Sequence, residues 1–292
     1  VDAGRAQAAA AEFGGRACTD LDSVLSDPGI QAVHVCTPHN VHADQVVAAA
    51  KAGKHVLVEK PMALTVADCD RMIAACEAAG KLLMVGQVMR YYPVNRLARQ
   101  MIADGVIGPV GHMMRRRFSN FNPTPPGSPT KHWYLDPAVG GVCVLFCFGP
   151  HEYDILPWYV QSPVVRVYSQ GSESTELYKG QKDAYTTILT HACGAVSVIS
   201  QCVVCLPRAQ DQYIVGAKGS LFISGDQLLL NGEPVEVKGS LKEGMKNQVQ
   251  EFADCVLQGR QPDANARSVR HTMAVIEAAK ISAETNAPVN VQ

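Results

Sequence analysis

Three short polar segments follow apolar runs in the first third of the chain, and they carry side chains suited to binding a ligand. They are V-C-T-P-H-N-V-H (residues 35–42), A-G-K-H-V-L-V-E-K-P-M-A (52–63) and V-G-Q-V-M-R (85–90). Each lies at the carboxyl end of a predicted parallel strand, the edge at which open α/β sheets bind ligands. Singly, each residue could be a loop or cap residue, but three such strand ends together favour a binding site. The candidates are Cys36, Thr37, Pro38, His39, His42, Glu59, Lys60, Pro61, Gln87 and Arg90.

A second candidate group begins at Gly149-Pro150, a pair typical of a helix N-cap followed by proline at the first helical position. His151 would then lie in the first turn, where the helix dipole disfavours imidazolium and keeps the ring available as a base. Asp154 lies three residues later on the same helical face and could orient the ring or bind hydroxyl groups. The alternative for His151 is a capping or packing histidine.

Strands and helices alternate in the first half of the chain. Apolar runs predict strands at residues 31–36, 54–58 and 82–85, and helical spacing predicts helices at residues 42–52 and 65–80. This alternation indicates an α/β, Rossmann-like, doubly wound parallel sheet. The three polar segments should therefore meet at one edge of that sheet.

The second half of the chain groups its strands together and places helices near its ends. We predict helices at 94–103, from 150, at 246–257 and at 267–285, and strands at 110–118, 164–169, 184–191, 195–204, 213–217 and 220–223. This order is typical of an α+β domain with a large, mainly antiparallel sheet. We expect a dinucleotide-binding domain at residues 1–89 and a second domain at residues 90–292. The proline-rich loop at 120–141 contains Trp133 and Tyr134.

Composition narrows the class of protein. The 292 residues are 47% hydrophobic and 18% charged with a net charge of −1, so we expect neither nucleic acid nor a membrane surface as partner. The basic run at residues 115–117 fits a strand with a solvated face better than a phosphate clamp. Most of the ten cysteines lie in apolar runs and are predicted to be buried thiols in a reducing, cytoplasmic setting. No metal site is expected.

Longer motifs in the chain resemble one known family. The segment A-G-K-H-V-L-V-E-K-P, the glycines Gly140-Gly141 followed by G-P-H-E-Y-D (149–154), and the later E-F-A-D-C-V-L-Q-G-R-Q-P (251–262) are similar to the glucose–fructose oxidoreductase and inositol dehydrogenase family, Gfo/Idh/MocA. The resemblance covers essentially the whole chain. It implies hydride transfer between NAD, or NADP, and a carbon that bears a hydroxyl or carbonyl group in a sugar, sugar acid or cyclitol.

The resemblance also implies roles for individual residues. Thr37, Pro38, His42 and Glu59 would line the cofactor, Lys60 would lie beside nicotinamide and substrate after a cis Lys60–Pro61 bond, and His151 would be the catalytic histidine. Alcohol oxidation releases a hydride and a proton. His151 could accept the hydroxyl proton, and Lys60 could polarise the oxygen or share the proton. Trp133 and Tyr134 could stack on a sugar or on nicotinamide, or could simply pack.

Two features depart from the family pattern. Cys147 stands where the family usually has aspartate, and a neutral thiol cannot supply the negative charge of a carboxylate to a lysine–histidine pair. The glycine-rich dinucleotide fingerprint is also missing, and the opening residues resemble the end of the second Rossmann strand. We therefore expect the first strand, its turn and the first helix to precede residue 1, with Asp2 binding the adenine ribose and favouring NAD.

Other functions stay open at this point. The resemblance also allows an NAD-dependent glycosidase, in which the cofactor is reduced and reoxidised within each turnover, and Cys147 would suit a non-catalytic relative that binds cofactor or sugar. The predicted second-domain sheet has alternating apolar positions at residues 185–189 and 196–204. The resemblance implies that a homodimer or homotetramer forms through the open face of this sheet, although closing helices could cover that face instead.

Overall fold

The structure, a computed structural model, describes residues 2–123 and 132–292. A three-stranded parallel sheet occupies the first half of the chain, in the strand order β1-β2-β3. Its strands are β1 (Ala32–Val35), β2 (His55–Val58) and β3 (Leu83–Val85). The central strand is apolar on both faces, and Val56, Leu57 and Val58 are at most 1% exposed. A strand buried on both faces is what a parallel sheet with helices packed on it requires.

The α-helices described in this half are α1 (Ala3–Phe13), α2 (Leu21–Leu25), α3 (His42–Lys51) and α4 (Val66–Ala78). Three of these four helices, α1, α2 and α4, begin at polar caps, whereas α3 follows Val41. The hydroxyl of Thr65 accepts the backbone N–H of Asp68 at the start of α4, which satisfies a donor that the helix leaves unpaired. Gly80 follows the end of α4 with a φ of 62°, a conformation that glycine adopts without steric cost.

Five further helices of the described residues follow. They are α5 (Pro93–Ala103), α6 (Pro137–Gly140), α7 (Gly149–Val160), α8 (Gly244–Gln258) and α9 (Ala266–Thr285). Helix α9 contacts both halves of the molecule, because it packs against α4 and β3 as well as against α7. The bond from the N–H of Val85 to the carbonyl of Ala264 also ties the segment before α9 to the end of β3.

A nine-stranded sheet forms the second half, in the order β11-β10-β9-β8-β4-β7-β6-β5-β12. Only the β4–β7 pair is parallel among these described neighbours. The strands are β4 (Val110–Asn120), β5 (Val164–Ser172), β6 (Ala184–His191), β7 (Val196–Cys202), β8 (Val204–Gly216), β9 (Gly219–Ser224), β10 (Gln227–Leu230), β11 (Glu233–Val235) and β12 (Val289–Asn290).

The two faces of this sheet have different environments. Helices α7 and α9 pack on one face, through contacts of α7 with β4 and β7 and of α9 with β5. The opposite face, which we call the open face, carries large apolar side chains that are between 36% and 46% exposed. They are Met114, Ile188, Val196, Tyr213 and Val215.

The predicted fold class is confirmed, and the deviations lie mainly in short elements. The prediction of a structureless loop at 120–141 is wrong for its second part, where a short helical turn at His132–Leu135 and helix α6 form. Strands β10, β11 and β12 were not predicted, and β8 begins nine residues before the predicted 213. These strands are short or polar, so apolar periodicity in the sequence is too weak to identify them.

Two predictions about burial are confirmed only in part. The run at residues 115–117 is not simply a solvated face: alternation along β4 places Arg115, which is 4% exposed, and Arg117 beneath α7, with Arg116 on the other side. Cys36 and Cys193 are exposed, although the other cysteines of the apolar runs are buried. Within the described residues, none of the helices has the length and apolar character that crossing a membrane requires.

Candidate functional site

The ends of β1 and β2 lie side by side, as the parallel register requires. Val35 of β1 pairs with Val58 of β2, so the residues that follow each strand leave the same edge of the sheet. Cys36 and Pro38 are exposed there, and Thr37 is half-buried with its hydroxyl donating to the Gln45 side chain over 2.7 Å. These three residues form an accessible loop that could contact a ligand.

His42 holds two of these loops together. It is fully buried, and its ring nitrogens Nδ1 and Nε2 each lie 2.9 Å from a carbonyl oxygen, of Pro61 and Thr37 respectively. The peptide bond between Lys60 and Pro61 is cis, as the resemblance implied. Both nitrogens face backbone carbonyls, and the neutral ring donates to one of them, so His42 positions the loops and does not itself offer a polar atom to a ligand.

Glu59 stands at the end of β2 between a histidine and a glycine. One carboxylate oxygen lies 3.5 Å from Nε2 of His34. Contact of His34 with the Cys36 side chain, and then with Glu59, raises the His34 pKa to about 9. A side chain at Gly86 would place its Cβ 3.0 Å from the carboxylate, so glycine gives Glu59 the space it occupies. Glu59 is 26% exposed and can still meet a ligand at this edge.

Gln87 follows β3 and is only 1% exposed, yet neither atom of its amide has a hydrogen-bond partner among the described residues. A buried amide without partners is costly, because it has lost its water and gained nothing in exchange. The strand ends thus combine an accessible loop, a carboxylate and an unsatisfied amide. This donor and acceptor set fits a dinucleotide, whose ribose and amide groups need both kinds of partner.

His39 connects the β1 loop to α6 and to the segment before it. Its Nδ1 lies 3.0 Å from the carbonyl oxygen of Gly140, and its ring meets the Trp133 ring edge-on at 4.7 Å. Trp133 stacks on Tyr134 with centroids 4.1 Å apart, and Tyr134 meets Phe121 edge-on. The two aromatic residues are half-buried and already packed, which supports the packing interpretation while leaving part of each ring accessible.

Lys60 crosses from the first sheet to the second half of the molecule. Its ammonium group donates to the carbonyl oxygen of Cys147 over 2.7 Å. Burial lowers the pKa of Lys60, the carboxylate of Glu59 opposes this by a smaller amount, and the nearby Arg117 lowers it further. An amine with a lowered pKa gives up its proton more readily than a solvated lysine does.

Cys147 belongs to a wide helical turn, Val144–Phe148, that leads directly into α7. Because Gly149 donates to the carbonyl of Val144, the prediction of Gly149 as the N-cap is wrong, and α7 has no free N-terminus there. Burial raises the pKa of the Cys147 thiol far above the usual range, as does its contact with Cys143. The thiol is therefore neutral, and Lys60 meets a backbone carbonyl at this position.

His151 lies one turn after Cys147 in the first turn of α7. Burial lowers its pKa well below the usual value, and the positive charges of Lys60, Arg117 and Arg115 lower it further. The ring is thus neutral at physiological pH, although the cause is burial and neighbouring cations and not a helix N-terminus. Its Nδ1 is buried without a hydrogen-bond partner among the described residues, which leaves Nε2 as the nitrogen able to meet a substrate.

Three charged residues surround His151 that the sequence did not single out as functional. Glu152 is fully buried and accepts from Nε of Arg115 and from Nη1 of Arg117, the latter over 3.0 Å. Burial raises the pKa of Glu152, but the two arginines more than offset this and lower it. The signal available in the sequence was alternation along β4, which places Arg115 and Arg117 on one face together.

A cavity of about 270 Å³ opens beside His151, between α5, α7 and strands β4, β8 and β9. Lys60 is not among its described lining residues. These are Met89, Tyr92, Asn95, Arg115, Arg117, His151, Gln210, Gln212, Ile223, Gly225 and Leu241. The lining thus includes both apolar and polar side chains, with His151 among them.

Arg90 and Asp154 lie away from this arrangement. The Asp154 carboxylate binds Nη2 and Nε of Arg90 over 2.6 and 2.7 Å and accepts from the hydroxyl of Thr272, and both charged residues are at most 4% exposed. In this bidentate ion pair the carboxylate oxygens already accept hydrogen bonds from Arg90 and Thr272, so the pair is not available to bind a ligand. Asp154 therefore does not orient His151, and we leave both residues out of the proposed site.

Asp2 lies in a different environment from the other candidates. It caps α1, accepting the N–H of Arg5 over 3.0 Å, and it is exposed. Hydrogen bonds from the backbone N–H groups of Arg5 and Gly4 lower the Asp2 pKa, so the side chain is a carboxylate at neutral pH. The expectation that it binds ribose hydroxyls stays a prediction.

Comparison with known proteins agrees with the architecture. Residues 1–87 match the model of an oxidoreductase family with an NAD-binding Rossmann fold, and residues 95–222 match the GFO/IDH/MocA C-terminal domain. A solved aldose-aldose oxidoreductase from Caulobacter crescentus, complexed with glycerol, superposes with a TM-score of 0.89 at 26% identity, covering 99% of this chain and 89% of that one.

Two curated relatives share parts of the sequence. A 1-carboxy-3-chloro-3,4-dihydroxycyclohexa-1,5-diene dehydrogenase from Comamonas testosteroni is 36% identical over 151 residues, which is 51% of this chain and 36% of that protein. A myo-inositol 2-dehydrogenase from Thermotoga maritima is 31% identical over 212 residues, 71% of this chain and 60% of that protein. The matched part therefore spans less than two thirds of each relative. With both of its domain models matched in order, the chain belongs to the Gfo/Idh/MocA oxidoreductase family.

Proposed function

We propose that the protein is an NAD-dependent oxidoreductase that transfers a hydride to or from a CH–OH carbon of a sugar, sugar acid or cyclitol. The observation that carries this proposal is the approach of Lys60 to the turn that presents His151. The ammonium binds the carbonyl one turn before the histidine, and its charge helps to keep the imidazole neutral.

The residues present suit the proton half of such a reaction. When bound, NAD accepts the hydride from the substrate carbon. The hydroxyl proton must leave at the same time, and Nε2 of a neutral His151 can take it. Lys60, with its lowered pKa, can donate a hydrogen bond to the substrate oxygen and stabilise the charge that develops there.

The cofactor would lie along the strand ends. Cys36, Thr37 and Pro38 would contact it from the β1 loop, with Glu59 and Gln87 from the next two strands, while His42 would hold these loops in place. We favour NAD over NADP because Asp2, if it lies near the adenine ribose, would repel a 2′-phosphate.

The substrate class is drawn from the relatives and from the cavity. The names of the two curated relatives include a cyclitol and a carboxylated dihydroxy ring. A polar cavity of about 270 Å³ beside His151 is close to the lower end of small-ligand pockets. Trp133 and Tyr134 could add an aromatic wall, and Cys147 would meet the substrate only as a neutral thiol.

The test is a screen of sugars, sugar acids and cyclitols with NAD and NADP, in protein that includes any residues encoded upstream of Val1. We expect NADH formation, and we expect Lys60→Met and His151→Asn each to lower kcat about 10²–10⁴-fold. Lys51→Met, which removes an exposed lysine from the end of α3, is the matched control and should leave kcat unchanged. Turnover that survives both site substitutions would contradict the proposal.

We further propose that two copies of the chain associate through the open face. Several of its apolar side chains are more than a third exposed, which is unusual for a contiguous patch that meets only water. Ile188→Glu should shift the sedimentation mass towards the monomer, whereas a monomeric wild-type protein would contradict this. A domain boundary at residue 89 and a cytoplasmic location stay predictions.

A further inference from the structure

We propose that the substrate carries a single carboxylate and that Arg117 binds it in the cavity beside His151. This inference rests on the proposed function, because it names the substrate class of the same site. It concerns three side chains on the inner face of the nine-stranded sheet, Arg115, Arg117 and Glu152, which we call the arginine cluster.

The arginine cluster has one unbalanced positive charge. Two guanidinium groups share one carboxylate, since both Arg115 and Arg117 donate to Glu152. The described lining of the cavity contains no other carboxylate. His151 is neutral and adds no positive charge, and burial raises the pKa of Tyr92, which keeps its phenol neutral. The Lys60 ammonium lies outside the described lining and binds the carbonyl of Cys147. Asp211 lies on the other side of the sheet and pairs with Arg116.

Arg117 is the member of the cluster that has binding capacity to spare. Arg115 is only 4% exposed and is committed to Glu152, which it holds in place. The Arg117 side chain is 18% exposed and lies 5.2 Å from the centroid of the Phe148 ring. Its Nε is buried with no hydrogen-bond partner among the described residues. A desolvated guanidinium group with an unused hydrogen-bond donor binds a carboxylate more strongly than a solvated guanidinium group does.

The remaining polar groups of the cavity suit hydroxyl groups. The Gln212 amide nitrogen donates to the hydroxyl of Tyr159 over 2.8 Å, which fixes the amide orientation. Its oxygen is buried without a hydrogen-bond partner among the described residues, so it lacks the hydrogen bond that a ligand hydroxyl group could donate. Gln210 and Asn95 also line the cavity. A hydroxylated acid satisfies both the surplus cation and the free acceptor, which a neutral polyol does not.

The charge count favours a carboxylate over a phosphate. One surplus positive charge is neutralised by one carboxylate, whereas a phosphate monoester has a charge of about −1.5 to −2 at neutral pH. The excess negative charge would stay buried beside Glu152, and uncompensated buried charge is costly.

The experiment compares ligands that differ at one carbon: glucuronate, glucose and glucose 6-phosphate. Their binding is measured by calorimetry without cofactor, and kcat and KM are measured with NAD. We expect glucuronate to bind in preference to the other two. Arg117→Gln should weaken glucuronate binding and raise its KM about 10- to 100-fold, with the binding of glucose changed far less. Because Arg117 also lowers the pKa of His151, any change in kcat should be the same for glucuronate and for glucose. Arg117→Lys should restore part of the affinity.

Arg116→Gln is the matched control, because it removes the same charge from the adjacent position on the opposite face and should leave the preference for glucuronate unchanged. Circular dichroism of each variant separates a binding defect from unfolding. A preference for glucose or for the phosphate, or an equal loss by the Arg116 variant, overturns the inference. Calorimetric binding of glucuronate without redox turnover would support the inference and contradict the proposed function, and turnover of neutral polyols alone would do the reverse.

Discussion

The strand-end loops and the arginine cluster both approach His151, yet they are built in opposite ways. The loops after β1 and β2 are held mainly by contacts to backbone, such as those of His42 with the carbonyls of Thr37 and Pro61. The cluster holds its shape through buried charges that compensate one another. The first arrangement leaves the loop side chains accessible, whereas the second concentrates positive charge in one cavity. We therefore expect the two regions to respond differently to the loss of a single group.

The largest effect is expected where one charge balances two others. Glu152→Gln leaves Arg115 and Arg117 buried without a counter-ion, and breaking a buried pair in this way costs about 3–5 kcal/mol of unfolding free energy. Urea unfolding followed by circular dichroism measures it. Glu77→Gln breaks an exposed pair with Arg267 and should cost at most about 1 kcal/mol. Similar costs for the two substitutions would show that the buried cluster is not the stronger arrangement.

The strand-end loops should respond to acid through His39. Burial lowers its pKa from 6.5 to about 4, so the folded state binds this proton less readily than the unfolded chain. Its contribution is complete above pH 6.5 and is lost as the pH falls through 4, up to about 3 kcal/mol in all. We expect His39→Gln to flatten the dependence of unfolding free energy on pH in this window. The exposed His112→Gln should leave the wild-type slope, and an unchanged slope in the His39 variant would contradict the assignment.

Residue 147 lies where the strand-end loops meet the turn before His151. A carboxylate there would give Lys60 and His151 a nearby negative charge, as Glu152 does for the arginine cluster. Cys147→Asp would place a negative charge near Lys60 and His151, which stabilises their protonated forms and raises both pKa values. The acidic limb of the pH–rate profile should then move to higher pH by about 1–2 units. Cys147→Ser, which adds no charge, is the control and should not move it. An unshifted profile in the aspartate variant would count against the placement of residue 147 beside the pair.

The smallest effect concerns a cap remote from both regions. Thr65→Ala removes the acceptor for the N–H of Asp68 at the start of α4 and should cost about 1 kcal/mol of unfolding free energy. Because α4 lies outside the site, kcat should not change. Thr65→Ser keeps the hydroxyl and should retain most of the stability. A large loss of activity in the alanine variant would mean that the strand-end loops depend on α4 more than their contacts suggest.

Prediction from sequence succeeded where a local pattern sets the structure. The apolar runs and their polar ends located the strands of the parallel sheet, and the Thr65 cap located the start of α4. The cis bond before Pro61 also agrees with the resemblance. The ion pair between Arg90 and Asp154 could not be foreseen, because the two residues are 64 positions apart and only packing brings them together.

The sequence by itself determined the order of elements, the fold class and the presence of Lys60 and His151 in characteristic surroundings. Those properties follow from periodicity and short motifs, which act over a few residues. The tertiary structure decided that Arg115 and Arg117 meet Glu152, that His151 is kept neutral by burial and neighbouring cations, and that Cys147 offers Lys60 its carbonyl. These outcomes depend on burial and on charges from distant segments. Both act through space, so no local pattern contains them.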